Sequence, residues 1–249
     1  MLDVDAYQVR LREWSSLHGW SRRGNLGGPG DLDELFYLNR NTELPQRPRL
    51  YLSAGIHGDE PAGPEAILKL LQHPEWVQDW EVHLFPLLNP SGFRLGRREN
   101  AEGLDLNRDY GQAQSLEIQR HQRILQTLPR MDLALCLHED WEARGCYLYF
   151  LDEQQRIPWA RSVLEAMHRV LPVDPSAEID GMAAEQGLIT RRVEEIDRPD
   201  WPEAIYLARK LSDCCFTLET PSSHDLDQRV ATMLAGVREA LTFPWWKSD

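Results

Sequence analysis

Residues 50–56 read LYLSAGI and run straight into His57-Gly58-Asp59-Glu60. A short apolar run of this make-up reads as a buried strand of a mostly parallel sheet, covered on both faces. The pattern recurs. Residues 82–88 (VHLFPLL) run into Asn89-Pro90, residues 133–137 (LALCL) into His138-Glu139-Asp140, and residues 214–218 (CCFTL) into Glu219. In open α/β sheets the ligand crevice lies at the carboxyl ends of the strands. The reading is therefore an α/β fold, mixed and mostly parallel, with His57, Glu60, His138 and Glu219 gathered at one sheet edge.

Two histidines and one glutamate form a common catalytic zinc set, and a further free glutamate is the usual base. His57 and Glu60 are three residues apart, a spacing that puts both on one side of a helical or turn-like segment. Taken singly, each signal has a plainer alternative. HGDE can be a glycine turn with incidental polar residues, His138 a hydrogen-bonded core histidine, and Glu219 a solvated strand-end carboxylate.

Helical spacing of Val4, Tyr7, Leu11, Trp14 and Leu17 predicts a helix over 4–18. A glycine-rich turn at 24–30, an edge strand over 34–39 and a turn over 41–48 follow. Pro64 suits the first turn of a helix running to about Leu71. Residues 91–110 read as a long loop, with six charged side chains between Arg94 and Asp105. Loops of that length in compact domains are usually functional. Helices are expected over 115–128, 159–170, 201–210 and 225–241, and a further strand over 147–151. Residues 172–200 are weakly patterned and read as a lid or rim. No internal repeat or second domain is evident, so residues 1–249 are taken as one catalytic domain.

The net charge is −13, from 27 Lys+Arg against 40 Asp+Glu. That argues against nucleic-acid and anionic-membrane partners, which need clustered basic residues. The first residues, MLDVDAYQVRLREWSS, show no signal-peptide pattern, and no apolar run approaches the ~18 residues of a membrane span. Cys136, Cys146, Cys214 and Cys215 match no zinc ribbon or disulfide framework, so they read as reduced thiols in a cytoplasmic protein. Oligomeric state is left open.

Residues 94–108, RLGRRENAEGLDLNR, carry arginines at 94, 97, 98 and 108. A solvated basic loop is the bland reading. Asn107, Arg108 and Arg98 also offer planar, multi-donor groups suited to a carboxylate and a polarised carbonyl oxygen. HGDE at 57–60, NPSG at 89–92, RENAEGLDLNR at 98–108, His138 and FTLET at 216–220 occur in the order found in the zinc carboxypeptidases, and over residues 49–222 the chain resembles that family. It resembles the compact bacterial cytoplasmic branch, which includes murein tripeptide amidase-like enzymes, more closely than the secreted members.

The resemblance implies a sheet with helices on both faces and one zinc per chain, held by His57, Glu60 and His138. It implies that Asp105 orients His57 through the ring's far nitrogen. Asn107 and Arg108 would bind a free substrate carboxylate, Arg98 would steady the oxyanion, and Glu219 would be the base. Digestive members carry a tyrosine on the loop before the glutamate. Residues 172–200 contain none, the nearest upstream, Tyr206, falls in a predicted helix, and Tyr147 and Tyr149 lie further away, so no catalytic tyrosine is assigned.

The leading expectation is a metallocarboxypeptidase acting on a peptide or peptide-like small substrate. A zinc-dependent N-acyl-amino-acid deacylase, like aspartoacylase or succinylglutamate desuccinylase, shares the same plan. A non-catalytic binding protein on this fold is a third reading. Residues 172–200 hold eight Asp/Glu against three Arg, which predicts an acidic rim that repels the second carboxylate of a succinyl or aspartyl substrate. The net acidity hints at a basic or zwitterionic side chain in a pocket set by residues 172–210.

Overall fold

The order of strands explains why the site residues meet. In a computed structural model describing residues 2–22, 37–43, 47–152, 154 and 156–242, the strands are β1 (Ser21–Arg22), β2 (Leu38–Arg40), β3 (Arg49–Ala54), β4 (Glu81–Phe85), β5 (Leu133–Asp140), β6 (Tyr147–Asp152), β7 (Glu178–Ile179), β8 (Met182–Ala183), β9 (Leu188–Arg191) and β10 (Cys214–Pro221). One eight-stranded sheet has the order β1-β2-β4-β3-β5-β10-β6-β9, and β7 pairs with β8 in a separate hairpin. The pairs β4–β3, β3–β5, β5–β10 and β6–β9 are parallel, and the rest of the large sheet is antiparallel. The expected mixed, mostly parallel sheet is present.

Seven α-helices are described: α1 (Val4–Leu17), α2 (Ala62–Gln72), α3 (Pro90–Leu95), α4 (Leu116–Leu125), α5 (Ile157–His168), α6 (Glu203–Lys210) and α7 (Leu226–Thr242). One buried cluster joins side chains of α1, α2, α5 and α7 to one sheet face, through residues such as Leu52, Leu135 and Phe216. A second joins α4 and α6 to the other face, through Tyr51, Cys136 and Cys215. Alternate residues of β3, β5 and β10 thus serve opposite cores, which is why these strands read as continuous apolar runs. None of the described helices is long and apolar enough to cross a membrane.

Several boundaries differ from the sequence reading. The glycine-rich turn at 24–30, most of the expected edge strand over 34–39 and residues 44–46 lie outside the described residues. β5 and β10 do not stop at Leu137 and Leu218. They continue to Asp140 and Pro221, so His138 and Glu219 sit inside strands. The supposed loop at 91–110 begins as helix α3, and Leu106–Arg108 forms a 3₁₀ turn. Asn89 caps α3, its Oδ1 accepting from the Gly92 N–H at 2.8 Å. The capping asparagine and Pro90 at the first helical position are the missed start signal.

Candidate metal centre and its cavity

The turn bearing His57 and Glu60 is pressed onto α3 by two glycines. A Cβ on Gly58 would stand 2.1 Å from the Gly92 carbonyl carbon, and one on Gly92 would stand 2.5 Å from Asn89 Nδ2. Asn89 then ties three segments together. Its Nδ2 donates to the carbonyls of Ile56 and Arg98, both at 3.1 Å, while its Oδ1 caps α3. Asn89 is therefore structural. Asn100, fully buried, orders the following loop by accepting from the Glu102 and Leu104 N–H groups at 3.1 and 2.9 Å.

His57 and Glu60 follow β3, and His138 stands on the neighbouring β5. Glu60 lies between the two rings: His57 Nδ1 is 2.5 Å from its Oε1 and His138 Nδ1 3.1 Å from its Oε2. All three residues are buried, and their ligating atoms lie within 4.8 Å of one another. Two imidazole nitrogens and a carboxylate so placed fit a divalent metal, and three protein donors with a position left over is the donor set of catalytic zinc. Burial by itself lowers the His57 pKa. The charge of Glu60 and the hydrogen-bonding contacts with Asp105 and Glu60 outweigh it, raising the pKa to about 9. Burial raises the Glu60 carboxyl, but the two histidines overcome this and hold it below the usual range.

Asp105 stands behind His57, its Oδ1 3.3 Å from Nε2. The pair is close, but Nε2 is buried without an aligned hydrogen-bond partner. Asp105 also accepts from the Asn107 N–H at 2.9 Å and from Arg98 Nε at 3.0 Å. Arg98 Nη1 reaches within 3.3 Å of His57 Nδ1. Asn107 spends its Oδ1 on the Glu203 N–H at 2.8 Å, which holds the start of α6 against the site. Arg108 lines the cavity, 3.6 Å from Asp200.

Strand register aligns the rest. Glu219 on β10 pairs with His138 on β5 and with Tyr147 on β6, so the three occupy one row across adjacent strands. Two residues earlier, Thr217 pairs with Cys136 and Tyr149. Glu219 has no hydrogen-bond donor among the described residues, and it lines the cavity. Burial, opposed by His138 and aided by Glu60, Asp140 and Asp180, pushes its carboxyl well above the usual range. A group so placed and so shifted belongs to a functional site more often than to a structural one.

The cavity has a volume of about 730 Å³ and collects His57, Glu60, Arg98, Asp105, Asn107, Arg108, His138 and Glu219. All eight site residues read from the sequence are thus in one place. Tyr147 and Tyr149, set aside by distance along the chain, also line it. Their hydroxyls donate to Asp140 at 2.9 Å and Asp180 at 2.7 Å. The period-2 spacing of the strand is the signal that puts both on one face. Tyr206 packs in the core against Tyr110 and does not line the cavity. Trp141, 76% exposed, stands at the rim.

The acidic rim expected from residues 172–200 is not what faces the cavity. Of that segment Asp180, Met182, Arg191, Ile196 and Arg198 line it. One acid and two arginines line it, and Asp200, beside the cavity, is paired with Arg198.

Residues 46–242 match the family described as the succinylglutamate desuccinylase/aspartoacylase catalytic domain. Among curated proteins, carboxypeptidase SOL1 of Arabidopsis thaliana is 34% identical over 86 residues, covering 29% of this chain and 17% of that protein. Carboxypeptidase E of Caenorhabditis elegans is 30% identical over 131 residues, covering 42% of this chain and 27% of that protein. The chain therefore spans only a small part of the length of these relatives. Among crystal structures, a candidate metallopeptidase from Shewanella denitrificans OS217 superposes with a TM-score of 0.82 at 26% identity, covering 95% of this chain and 88% of that one.

Proposed function

The chain belongs to the succinylglutamate desuccinylase/aspartoacylase catalytic-domain family, within the zinc carboxypeptidase-like fold, and from that premise we propose that it is a zinc-dependent metallocarboxypeptidase. It hydrolyses the amide preceding a free C-terminal carboxylate of a short peptide or peptide-like substrate. The observation that carries this reading is the row His138–Glu219–Tyr147, with His57, Glu60 and Arg108 on the same cavity. His57, Glu60 and His138 are the residues that would hold one zinc per chain. When bound, zinc supplies Lewis-acid polarisation of the scissile carbonyl and makes water a stronger nucleophile near neutral pH.

The chain's own groups do the rest. Glu219 takes a proton from the attacking water and returns it to the leaving amine. Arg98 faces the developing oxyanion, held in aim by Asp105. Asn107 and Arg108 hold the terminal carboxylate by charge-assisted hydrogen bonds. Asp105 orients His57 from behind. Free buried thiols at Cys136, Cys146, Cys214 and Cys215 support a reducing, cytoplasmic setting.

A second reading is favoured by the family match itself, whose description is of deacylases. A cavity of about 730 Å³ favours the peptidase, because it has room for a chain on the amino side of the scissile bond. The deciding experiment is a mass-spectrometric product screen of the zinc-loaded protein on peptides, γ-D-glutamyl peptides, and N-acyl amino acids. Release of the C-terminal residue from tri- or tetrapeptides is expected. A higher kcat/KM on N-succinylglutamate or N-acetylaspartate would replace the peptidase reading with the deacylase one.

A further inference from the structure

Glu139, next in sequence to His138, is an acid at the end of an apolar row. Along β5 the side chains alternate between the two faces of the sheet. Leu133, Leu135 and Leu137 belong to the core shared with α2 and α7, whereas Ala134 and Cys136 belong to the opposite one. Glu139 continues the first row, and its side chain is fully buried. A carboxylate in that position is costly unless both oxygens find partners. Its Oε1 accepts from the Ala62 N–H at 2.5 Å, and its Oε2 is paired with Arg229 of α7. That is the only ion pair of Arg229 among the described residues.

The contact with Ala62 matters because of where α2 starts. The first turn of a helix carries N–H groups with no partner inside the helix. Pro61, at the N-cap, offers them no side-chain hydrogen bond. Glu139 supplies that cap from the strand beside β3, and its charge suits the positive end of the helix. The helix sits tightly there: a Cβ on Gly63 would stand 3.0 Å from the Ala54 Cβ and 3.1 Å from the Leu137 Cβ. Glu60 precedes Ala62 by two residues, and its Oε2 accepts from the Glu139 main-chain N–H at 3.1 Å. Glu139 therefore holds Glu60 twice, directly through its carboxylate and indirectly through the helix that begins just after it.

We propose that Glu139 is a positioning residue for the metal centre: its side chain fixes the start of α2 and, with it, the place of Glu60 between His57 and His138. Arg229 neutralises this cap from α7 and contributes to stability, not to the aim of Glu60. The proposal rests on His57, Glu60 and His138 holding zinc, and not on which amide is cleaved, so its test reads metal binding and needs no turnover.

Zinc affinity is measured by competition with a chromogenic chelator, alongside thermal unfolding of the zinc-loaded proteins. Glu139→Ala should raise the zinc Kd about 10–100-fold, the range for losing a group that orients a metal ligand. Glu139→Gln keeps one acceptor for the Ala62 N–H and should raise it less, by roughly threefold or more. Arg229→Met leaves the cap in place. It should lower the unfolding temperature through the broken buried pair, yet leave the zinc Kd within about twofold of wild type. A merely structural role would move zinc affinity and unfolding temperature together in all three variants. Zinc bound as tightly by Glu139→Ala as by wild type overturns the proposal, and so does a loss of affinity in Arg229→Met as large as in Glu139→Ala. Should Glu139→Ala not fold, the same two criteria apply to Glu139→Gln. If wild type itself binds no zinc, the metal-centre reading fails and the proposal with it, whereas equal zinc binding by wild type and the Glu139 variants sinks the proposal alone.

Discussion

Two buried histidine–glutamate contacts lie on neighbouring strands of the same sheet, and only one of them gathers a second imidazole. At the carboxyl end, His57 and His138 approach the two oxygens of Glu60. At the amino end of β4, His83 Nε2 meets Glu81 Oε1 at 3.0 Å, while its Nδ1 meets the Tyr37 hydroxyl at 2.5 Å. The second oxygen of Glu81 accepts from Arg49 Nε at 3.2 Å. The residue types are alike, yet at His83 both ring nitrogens are committed and no second imidazole arrives. At His57 the neighbouring parallel strand delivers one. A ligand set therefore depends on a second donor reaching the same point, and the carboxyl edge is where parallel strands converge on a crevice.

The comparison breaks most sharply under removal of the two histidines. His57→Ala combined with His138→Ala should bring bound zinc from about one per chain to background and abolish hydrolysis. His83→Gln should leave the metal content unchanged. Both are read by elemental analysis of purified protein, and stoichiometric zinc in the double variant would place the metal elsewhere.

Glu219→Gln should keep the zinc and lose ~10²–10⁴-fold in kcat, the usual range for a missing general base. Single-turnover kinetics alongside metal analysis separates this from loss of the site. Activity near wild type would remove Glu219 from the chemistry.

Arg108→Ala should lower kcat/KM by roughly 10–100-fold on peptides with a free C-terminus, the range for a charge-assisted hydrogen bond. The matching amidated peptides lack that charge and should change much less. Equal losses on both would contradict the carboxylate clamp.

The smallest expected effect concerns a third, closed histidine. His121 is fully buried, with Nε2 at 3.1 Å from the Tyr51 hydroxyl and Nδ1 at 2.7 Å from that of Tyr110. Burial lowers its pKa to about 3. A depressed histidine pKa means that the fold prefers the neutral ring. The stabilisation is complete above the unfolded pKa near 6.5 and is lost as pH falls from there toward about 3. Between pH 6.5 and 5 this one site can account for up to ~2 kcal/mol. Urea unfolding at the two pH values should show that loss in wild type and a smaller one in His121→Gln. The same acid slope in both proteins would show that His121 does not set it.

Much of the site was legible because its signals are local. Apolar runs such as LYLSAGI and CCFTL announce buried strands by composition, and their ends announce the edge where chemistry collects. The candidate donors His57, Glu60 and His138 follow from those ends. The start of α3 was missed although Asn89 and Pro90 spell it, because the charges beyond Arg94 dominated the reading of the segment. Tyr147 and Tyr149 were set aside by distance along the chain, because alternation identifies a shared face without saying what that face meets.

By itself, then, the amino-acid sequence determined which segments become central strands and which residue types stand at their carboxyl edge, since both depend on short-range pattern. Only the tertiary structure decided the row His138–Glu219–Tyr147, because register between β5, β10 and β6 is set by pairing across long stretches of chain. The same holds for residues 172–200. A count of acids and bases carries no direction, and the pairing of β9 with β6 turned Arg191 toward the cavity. Which charges a substrate meets is fixed by the side of the backbone they leave from, and that depends on the neighbour each strand acquires.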